Sequence, residues 1–173
     1  MKKAIFLDRD GTLNVDIGYA YKVEDCALIE DDIAKVLKKI QKKGYLLIIT
    51  TNQAGIDKGY YREKNFWEFM RELERQLGLQ FDGVYFCPYH PDFSGNFPCR
   101  KPDNGMILQA QKEFNIDCKA SFMIGDSEKD MAAGKKSKCK TILINTQDLN
   151  SNTFKTKPDF TVRTWQEIES IIL

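Results

Sequence analysis

Short apolar runs alternate along this chain with segments whose apolar residues recur every three or four positions. The runs at Lys3–Leu7, Tyr45–Thr50, Gly83–Phe86, Ser121–Gly125 and Lys140–Ile144 predict strands, with a weaker one at Phe160–Val162. Between them, Ile33, Val36, Leu37 and Ile40 share one helical face, and Phe66, Phe69, Met70, Leu73 and Leu77 share another. Shorter helices fit Met106–Phe114, Glu128–Lys136 and Trp165–Ile172. Thr164 and Glu167 form a capping box at the start of the last. This alternation predicts an α/β fold: a doubly wound, mainly parallel sheet with helices on both faces. The polar stretch Thr146–Lys157 is expected to be a surface loop, and no segment reads as a linker or repeat.

In such sheets ligands bind beyond the carboxyl ends of the strands, so the residues that follow each strand carry the functional signal. The first strand ends in Asp8-Arg9-Asp10-Gly11-Thr12 and the second runs into Thr51-Asn52-Gln53-Ala54-Gly55. The third leads on to Cys99-Arg100-Lys101-Pro102, and the fourth ends in Gly125-Asp126-Ser127-Glu128-Lys129-Asp130. Taken singly, an Asp-Gly turn, a polar Thr-Asn-Gln loop or an Arg-Lys pair is ordinary surface chemistry. Four strand ends that together carry acids, a hydroxyl, amides and two cations are not.

Composition narrows the picture. The 173 residues suit one domain, 1–173, with a single core. A formal net charge of +1 gives no global field for nucleic acid or an acidic membrane surface. No apolar run approaches the ~20 residues of a membrane span, and the apolar run after Met1-Lys2-Lys3 is far too short for a secretory signal. The expectation is a cytoplasmic monomer without nucleic-acid or membrane partners. Cys26, Cys87, Cys99, Cys118 and Cys139 are an odd set without dense spacing, which in a reducing compartment suggests free thiols or metal ligands.

Side chains two apart on an extended strand project to the same side, so Asp8 and Asp10 can face one reacting group. Two unit charges at ~4 Å repel by about 4 kcal/mol at an effective dielectric of ~20. A divalent cation on hard oxygen ligands relieves that repulsion, and Mg²⁺ suits the set Asp8, Asp10 and Asp126. Thr51, Asn52 and Gln53 offer donors for anionic oxygens; Lys101 supplies a point charge and Arg100 a fork that grips phosphate. Asp130, one helical turn beyond Asp126, reads either as a group that orients the neighbours of Asp126 or Lys101, or as an exposed helix acid. An Asp nucleophile needs no base near neutral pH, so these parts fit phosphomonoester hydrolysis through an aspartyl-phosphate.

The four motifs, in order over nearly the whole chain, resemble the haloacid dehalogenase superfamily of phosphatases. Phe6–Asn14, Val15-Asp16-Ile17-Gly18-Tyr19, Thr51–Ile56, Cys87-Pro88-Tyr89-His90-Pro91 and Cys99–Pro102 resemble in their wording the D-glycero-D-manno-heptose 1,7-bisphosphate 7-phosphatase family. The resemblance implies removal of the C7 phosphate of that small phosphorylated sugar, in the synthesis of ADP-heptose and lipopolysaccharide core precursors. It implies Asp8 as nucleophile, Asp10 as acid and base, and Asp8, Asp10 and Asp126 as Mg²⁺ ligands. Thr51, Arg100 and Lys101 would hold the phosphoryl group, while Asp16, Ile17, Gly18, Tyr19, Asn52, Gln53 and Ala54 line the pocket. Ser127 stands where the family often has Lys. The intervals between the motifs leave no room for a separate cap domain, so the loops Val15–Lys22 and Pro88–Pro98 are expected to shield the site. Histidinol-phosphate phosphatases and polynucleotide 3′-phosphatases share much of the pattern and are the alternatives.

Relatives also carry a structural zinc before the Arg-Lys motif, held by a Cys-x-His and a Cys-x-Cys pair. Cys87 and Cys99 match its outer ligands, but Tyr89 and Phe97 stand where a His and a Cys are required. A closed site wants four nitrogen or sulfur ligands. His90 is adjacent, held between Pro88 and Pro91, which stiffen the loop. The expectation is no stoichiometric Zn²⁺, free thiols at Cys87 and Cys99, and a loop packed around Phe93 and Phe97.

Overall fold

A computed structural model describes residues 1–144 and 150–173. Six strands, β1 (Lys3–Leu7), β2 (Tyr45–Asn52), β3 (Gly83–Cys87), β4 (Phe122–Gly125), β5 (Lys140–Ile144) and β6 (Phe160–Val162), form one sheet in the order β3-β2-β1-β4-β5-β6. Every adjacent pair is parallel. Phe6 stands level with Ile48 on one side and Met123 on the other. The helices are α1 (Ile33–Lys42), α2 (Glu63–Leu77), α3 (Gly105–Phe114), α4 (Glu128–Lys136) and α5 (Trp165–Ile172). Among the described residues there is no separate cap.

The period-two alternation of the strands assigns the two faces. Ile5, Leu7, Leu47, Ile49, Ile124, Ile142 and Ile144 belong to the core shared with α1, α2 and α5, where Leu37, Ile40, Phe66, Phe69, Leu73 and Trp165 are fully buried. Ala4, Phe6, Ile48 and Met123 belong to the opposite core, with Ile107 and Ala110 of α3 and Ala133 of α4. Burying one large aliphatic or aromatic side chain is worth about 1.5–3 kcal/mol, so both faces anchor the central strands. Trp165 adds a direct tie between α5 and the first motif, since its indole N–H donates to the carbonyl of Thr12 at 3.2 Å.

The expected boundaries hold closely, with instructive shifts. Strand β2 continues through Thr51 and Asn52 because β3 pairs with both, Thr51 opposite Phe86 and Asn52 opposite Cys87. Ser121 lies outside β4; its hydroxyl accepts from Ala4 N–H at 2.9 Å and donates to the Asp117 carbonyl at 2.6 Å. Before α5 the Thr164 hydroxyl accepts from Glu167 N–H at 3.3 Å, as the cap requires. The surface loop expected at 146–157 lies partly outside the described residues; residues 150–157 are exposed or half-buried around a 3₁₀ turn at Ser151–Thr153. No described helix is long and apolar enough to cross a membrane. From β1 the chain moves outward to β2 and β3, then crosses to β4, β5 and β6, so the strand order reverses at the β1–β4 pair. A crevice opens at the carboxyl ends of such a pair.

Candidate active site

A cavity of about 440 Å³ lies at that switch point. Asp8 follows β1 directly, and its N–H donates to the Ile124 carbonyl at 2.9 Å, which seats it between β1 and β4. Asp126 follows β4. Gly11 between them has a φ of +75°, and a Cβ there would stand 2.1 Å from the Asp126 carboxylate. Only glycine tolerates both the turn and the approach. A Cβ at Gly125 would likewise meet the Asp130 side chain at 2.3 Å.

Lys101 closes the site from the third motif. Its side chain is 3% exposed, and Nζ donates to Asp8 Oδ1 at 2.8 Å, Asp130 Oδ1 at 2.5 Å and the Thr50 carbonyl at 2.7 Å. All three ammonium hydrogens are thereby used. The Asn52 amide fixes the backbone that delivers Lys101: Nδ2 donates to the Lys101 carbonyl and Oδ1 accepts from its N–H, each at 3.0 Å. Asp130 is fully buried rather than an exposed helix acid, and its Oδ2 accepts from the N–H and hydroxyl of Ser127 at the start of α4.

Carboxylate oxygens of Asp8, Asp126 and Asp130 lie within 4.8 Å of one another. Burial pushes Asp8 up to about 7 against the opposing pull of Lys101, with Asp130 adding to the rise. Burial, then Asp8 and Asp130, push Asp126 up to about 8. Burial disfavours the Lys101 ammonium, but Asp130 and Asp8 outweigh it and raise its pKa. The cluster of Asp8, Asp126 and Asp130 thus holds more carboxylates than Lys101 alone balances. A hard-oxygen donor set of this kind fits a small divalent cation.

Asp10 has different surroundings and is not in that acidic group. Its Oδ1 accepts from Arg9 Nη2 and Asn14 Nδ2, both at 2.9 Å, and its Oδ2 from Gln53 Nε2 at 3.0 Å. Arg9 is fully buried, with its guanidinium carbon 4.4 Å from the Phe69 ring centre and its Nη2 donating to the Ala20 carbonyl at 2.6 Å. The Gln53 amide also donates to the Thr51 hydroxyl at 2.9 Å and accepts from the Tyr61 hydroxyl at 2.5 Å. Gln53 and Asn52, expected to line the pocket, therefore border it with their amides engaged on Asp10 and on Lys101.

The rim is built from three loops. Asp16 accepts from Gly18 N–H at 2.8 Å and shapes the first, where the Tyr19 hydroxyl accepts from Lys58 of the second at 2.9 Å. Asp57 joins the second loop to the third, accepting from His90 N–H at 2.8 Å and the Ser94 hydroxyl at 2.6 Å. Arg100 donates to the Tyr89 carbonyl at 3.1 Å and borders the cavity. Asp16, Gly18, Tyr19, Thr51 and Ala54 border it as well. Ile17 does not, and it is 54% exposed. The pattern of the sequence did not single out Lys58, Tyr61 or Lys129, which also line the cavity; their only signal was proximity to a motif.

One expectation is overturned beside the rim. Cys87 and Cys99 are not free thiols but form a disulfide, with Cα atoms 5.4 Å apart. Residues 88–98 double back because Tyr89 stacks on Phe97 at 3.8 Å between ring centres, which returns Cys99 to the end of β3. Phe93, expected inside the loop, is exposed, with its ring in a T-shaped contact with His90. With the sulfurs joined and two rings stacked where a His and a Cys are needed, the loop does not fit a four-ligand zinc.

Comparison with known proteins agrees with this geometry. A HAD-hydrolase-like family model matches residues 98–168. The D-glycero-beta-D-manno-heptose-1,7-bisphosphate 7-phosphatase of Pasteurella multocida (strain Pm70) is 46% identical over 154 residues, 84% of this chain and 83% of the relative. The corresponding alpha-anomer 7-phosphatase of Burkholderia mallei (strain ATCC 23344) is 41% identical over 150 residues, 82% of this chain and 79% of the relative. The D,D-heptose 1,7-bisphosphate phosphatase of B. bronchiseptica, solved with magnesium and phosphate, superimposes with a TM-score of 0.84 at 21% identity, covering 98% of this chain and 97% of the other. Its likeness is one of fold. The level and extent of sequence identity show that the chain belongs to the D-glycero-D-manno-heptose-1,7-bisphosphate 7-phosphatase family of haloacid dehalogenase-like hydrolases.

Proposed function

We propose that this protein is a phosphomonoesterase that removes the 7-phosphate of D-glycero-D-manno-heptose 1,7-bisphosphate in the synthesis of lipopolysaccharide core precursors. It acts as a cytoplasmic monomer with one domain spanning 1–173. The observation that carries the reading is the contrast at the first motif: Asp8 meets Lys101 and two further acids, while Asp10, two residues on, is held by donors alone.

Lys101 holds Asp8 Oδ1 at 2.8 Å, which leaves Oδ2 to attack phosphorus in line with the departing sugar oxygen. The P–O bond to the sugar breaks as the bond to Asp8 forms. Asp10 delivers a proton to the leaving oxygen, then takes one from the water that releases phosphate from Asp8. Arg100 and the Thr51 hydroxyl would serve as donors to the phosphoryl oxygens, where pre-organised donors lower the barrier, and Lys101, its hydrogens engaged on Asp8, Asp130 and the Thr50 carbonyl, would supply positive charge beside them. Asp8, Asp10 and Asp126 would hold Mg²⁺. When bound, the ion supplies positive charge to the transferring group. EDTA should abolish turnover and Mg²⁺ restore it.

The rim of Asp16, Gly18, Tyr19 and Ala54 would border the sugar. The experiment is a kinetic panel with both heptose bisphosphate anomers, histidinol phosphate and a 3′-phosphorylated oligonucleotide. A kcat/KM at least about tenfold higher for histidinol phosphate or the oligonucleotide than for both heptose anomers would overturn the substrate assignment.

A further inference from the structure

We propose that Gln53 and Tyr61 form a relay that positions Asp10 as acid and base, and that Gln53 serves this role rather than contacting substrate. The inference rests on the phosphomonoesterase reading above. Gln53 is 2% exposed, and its hydrogen-bonding capacity is directed inward. Nε2 reaches Asp10 Oδ2 at 3.0 Å and the Thr51 hydroxyl at 2.9 Å, and Oε1 receives the Tyr61 hydroxyl at 2.5 Å.

The relay has a direction. An amide can present its donor side to Asp10 only if its oxygen is satisfied from the other end. The Tyr61 hydroxyl does this, and it fixes which way the amide lies. Burial pushes the Tyr61 phenol up to about 12, so it remains a donor at any working pH. Tyr61 is itself immobilised, stacked on Tyr21 with ring centres 4.9 Å apart and planes 11° from parallel. Gly55 sits under the Tyr61 ring, where a Cβ would come within 2.2 Å. The small residue two positions after Gln53 thus lets Tyr61 fold back over the turn.

Arg9 and Asn14 hold Oδ1 of the same carboxylate. The relay is what restrains Oδ2, together with a longer contact from Arg9 Nε at 3.2 Å. Loss of the relay would let the carboxylate swing about the Arg9 contact. A displacement of about 1 Å costs on the order of a hundredfold in rate.

The test is a double-mutant cycle with Tyr61→Phe and Gln53→Ala, measured on the heptose bisphosphate and on p-nitrophenyl phosphate. Phenylalanine keeps the ring stack and removes only the hydroxyl. Tyr61→Phe should lower kcat on the sugar ester about three- to tenfold, and Gln53→Ala about ten- to a hundredfold, both with KM little changed. The double variant should match Gln53→Ala, because Tyr61 acts only through Gln53. A p-nitrophenolate group leaves without a proton. For Tyr61→Phe, release of its first equivalent should therefore stay within about twofold of wild type while later turnover slows, since the second step still needs a base.

Wild-type kcat for Tyr61→Phe, losses that multiply in the double variant, or a loss confined to KM would each overturn the relay. So would an equal slowing of the first p-nitrophenolate equivalent, which a general structural defect would give. Thermal unfolding midpoints within a few degrees of wild type confirm that the variants are folded. A wild-type protein inert to both esters would overturn the underlying reading and this inference with it, and it would be seen before any substitution is made.

Discussion

Asp8 and Asp10 are the same residue type, two positions apart in one motif, yet their environments are opposites. Asp8 is pressed against Lys101 in a pocket it shares with Asp126 and Asp130, where burial pushes it up to about 7. Asp10 is gripped by Arg9, Asn14 and Gln53, each of them a donor. One oxygen of Asp8 is left open towards the cavity, while both oxygens of Asp10 are restrained. The difference teaches that a carboxylate becomes a nucleophile or a proton carrier through the groups the fold brings to it. For Asp8 those groups come from distant strand ends; for Asp10 they come mostly from its own turn.

The contrast can be broken first at Asp8. Asp8→Asn keeps shape and removes the attacking charge, so kcat on any phosphomonoester should fall by ~10⁴-fold or more in steady-state assays. Asp10→Asn should cost about 10²- to 10⁴-fold on the sugar ester. Its first p-nitrophenolate equivalent should be far less affected, which rapid-mixing kinetics would reveal. Equal losses for both variants in that first equivalent would erase the distinction between the two acids.

Lys101→Ala leaves Asp8 and Asp130 buried together without their cation. It should cost about 3–5 kcal/mol of stability in urea unfolding and weaken phosphate binding in the folded fraction. Asn52→Ala removes two hydrogen bonds from the Lys101 backbone and should cost about 1–3 kcal/mol, with kcat falling more than KM rises. Smallest of all, Ile17→Ala should change kcat/KM by no more than about twofold, because Ile17 is exposed and does not line the cavity. A tenfold loss there would return Ile17 to the pocket wall.

The strand–helix alternation and the acids at the strand ends were legible in the sequence because both follow from local periodicity. Short apolar runs such as Ala4–Leu7 and Leu46–Ile49 marked the strands, and the order of motifs located the mouth. What escaped was the set of long-range pairings. Nothing near Asp130 announces that it is buried under Lys101, twenty-nine positions away. Asn52 reads as a ligand-facing amide until β3 draws it into the sheet and Lys101 docks on it. The Cys87–Cys99 pairing depends on Tyr89 and Phe97 stacking across the loop between them, a contact with no periodic signature.

The most direct test of the account is to identify the phosphorylated residue. Wild-type protein mixed with substrate, quenched in acid within milliseconds and digested would be read by peptide mass spectrometry. The account predicts a phosphoryl increment on Asp8, absent in Asp8→Asn and accumulating in Asp10→Asn, where the base for its hydrolysis is lost. An increment on any other residue, or none in Asp10→Asn during continued turnover, would contradict it.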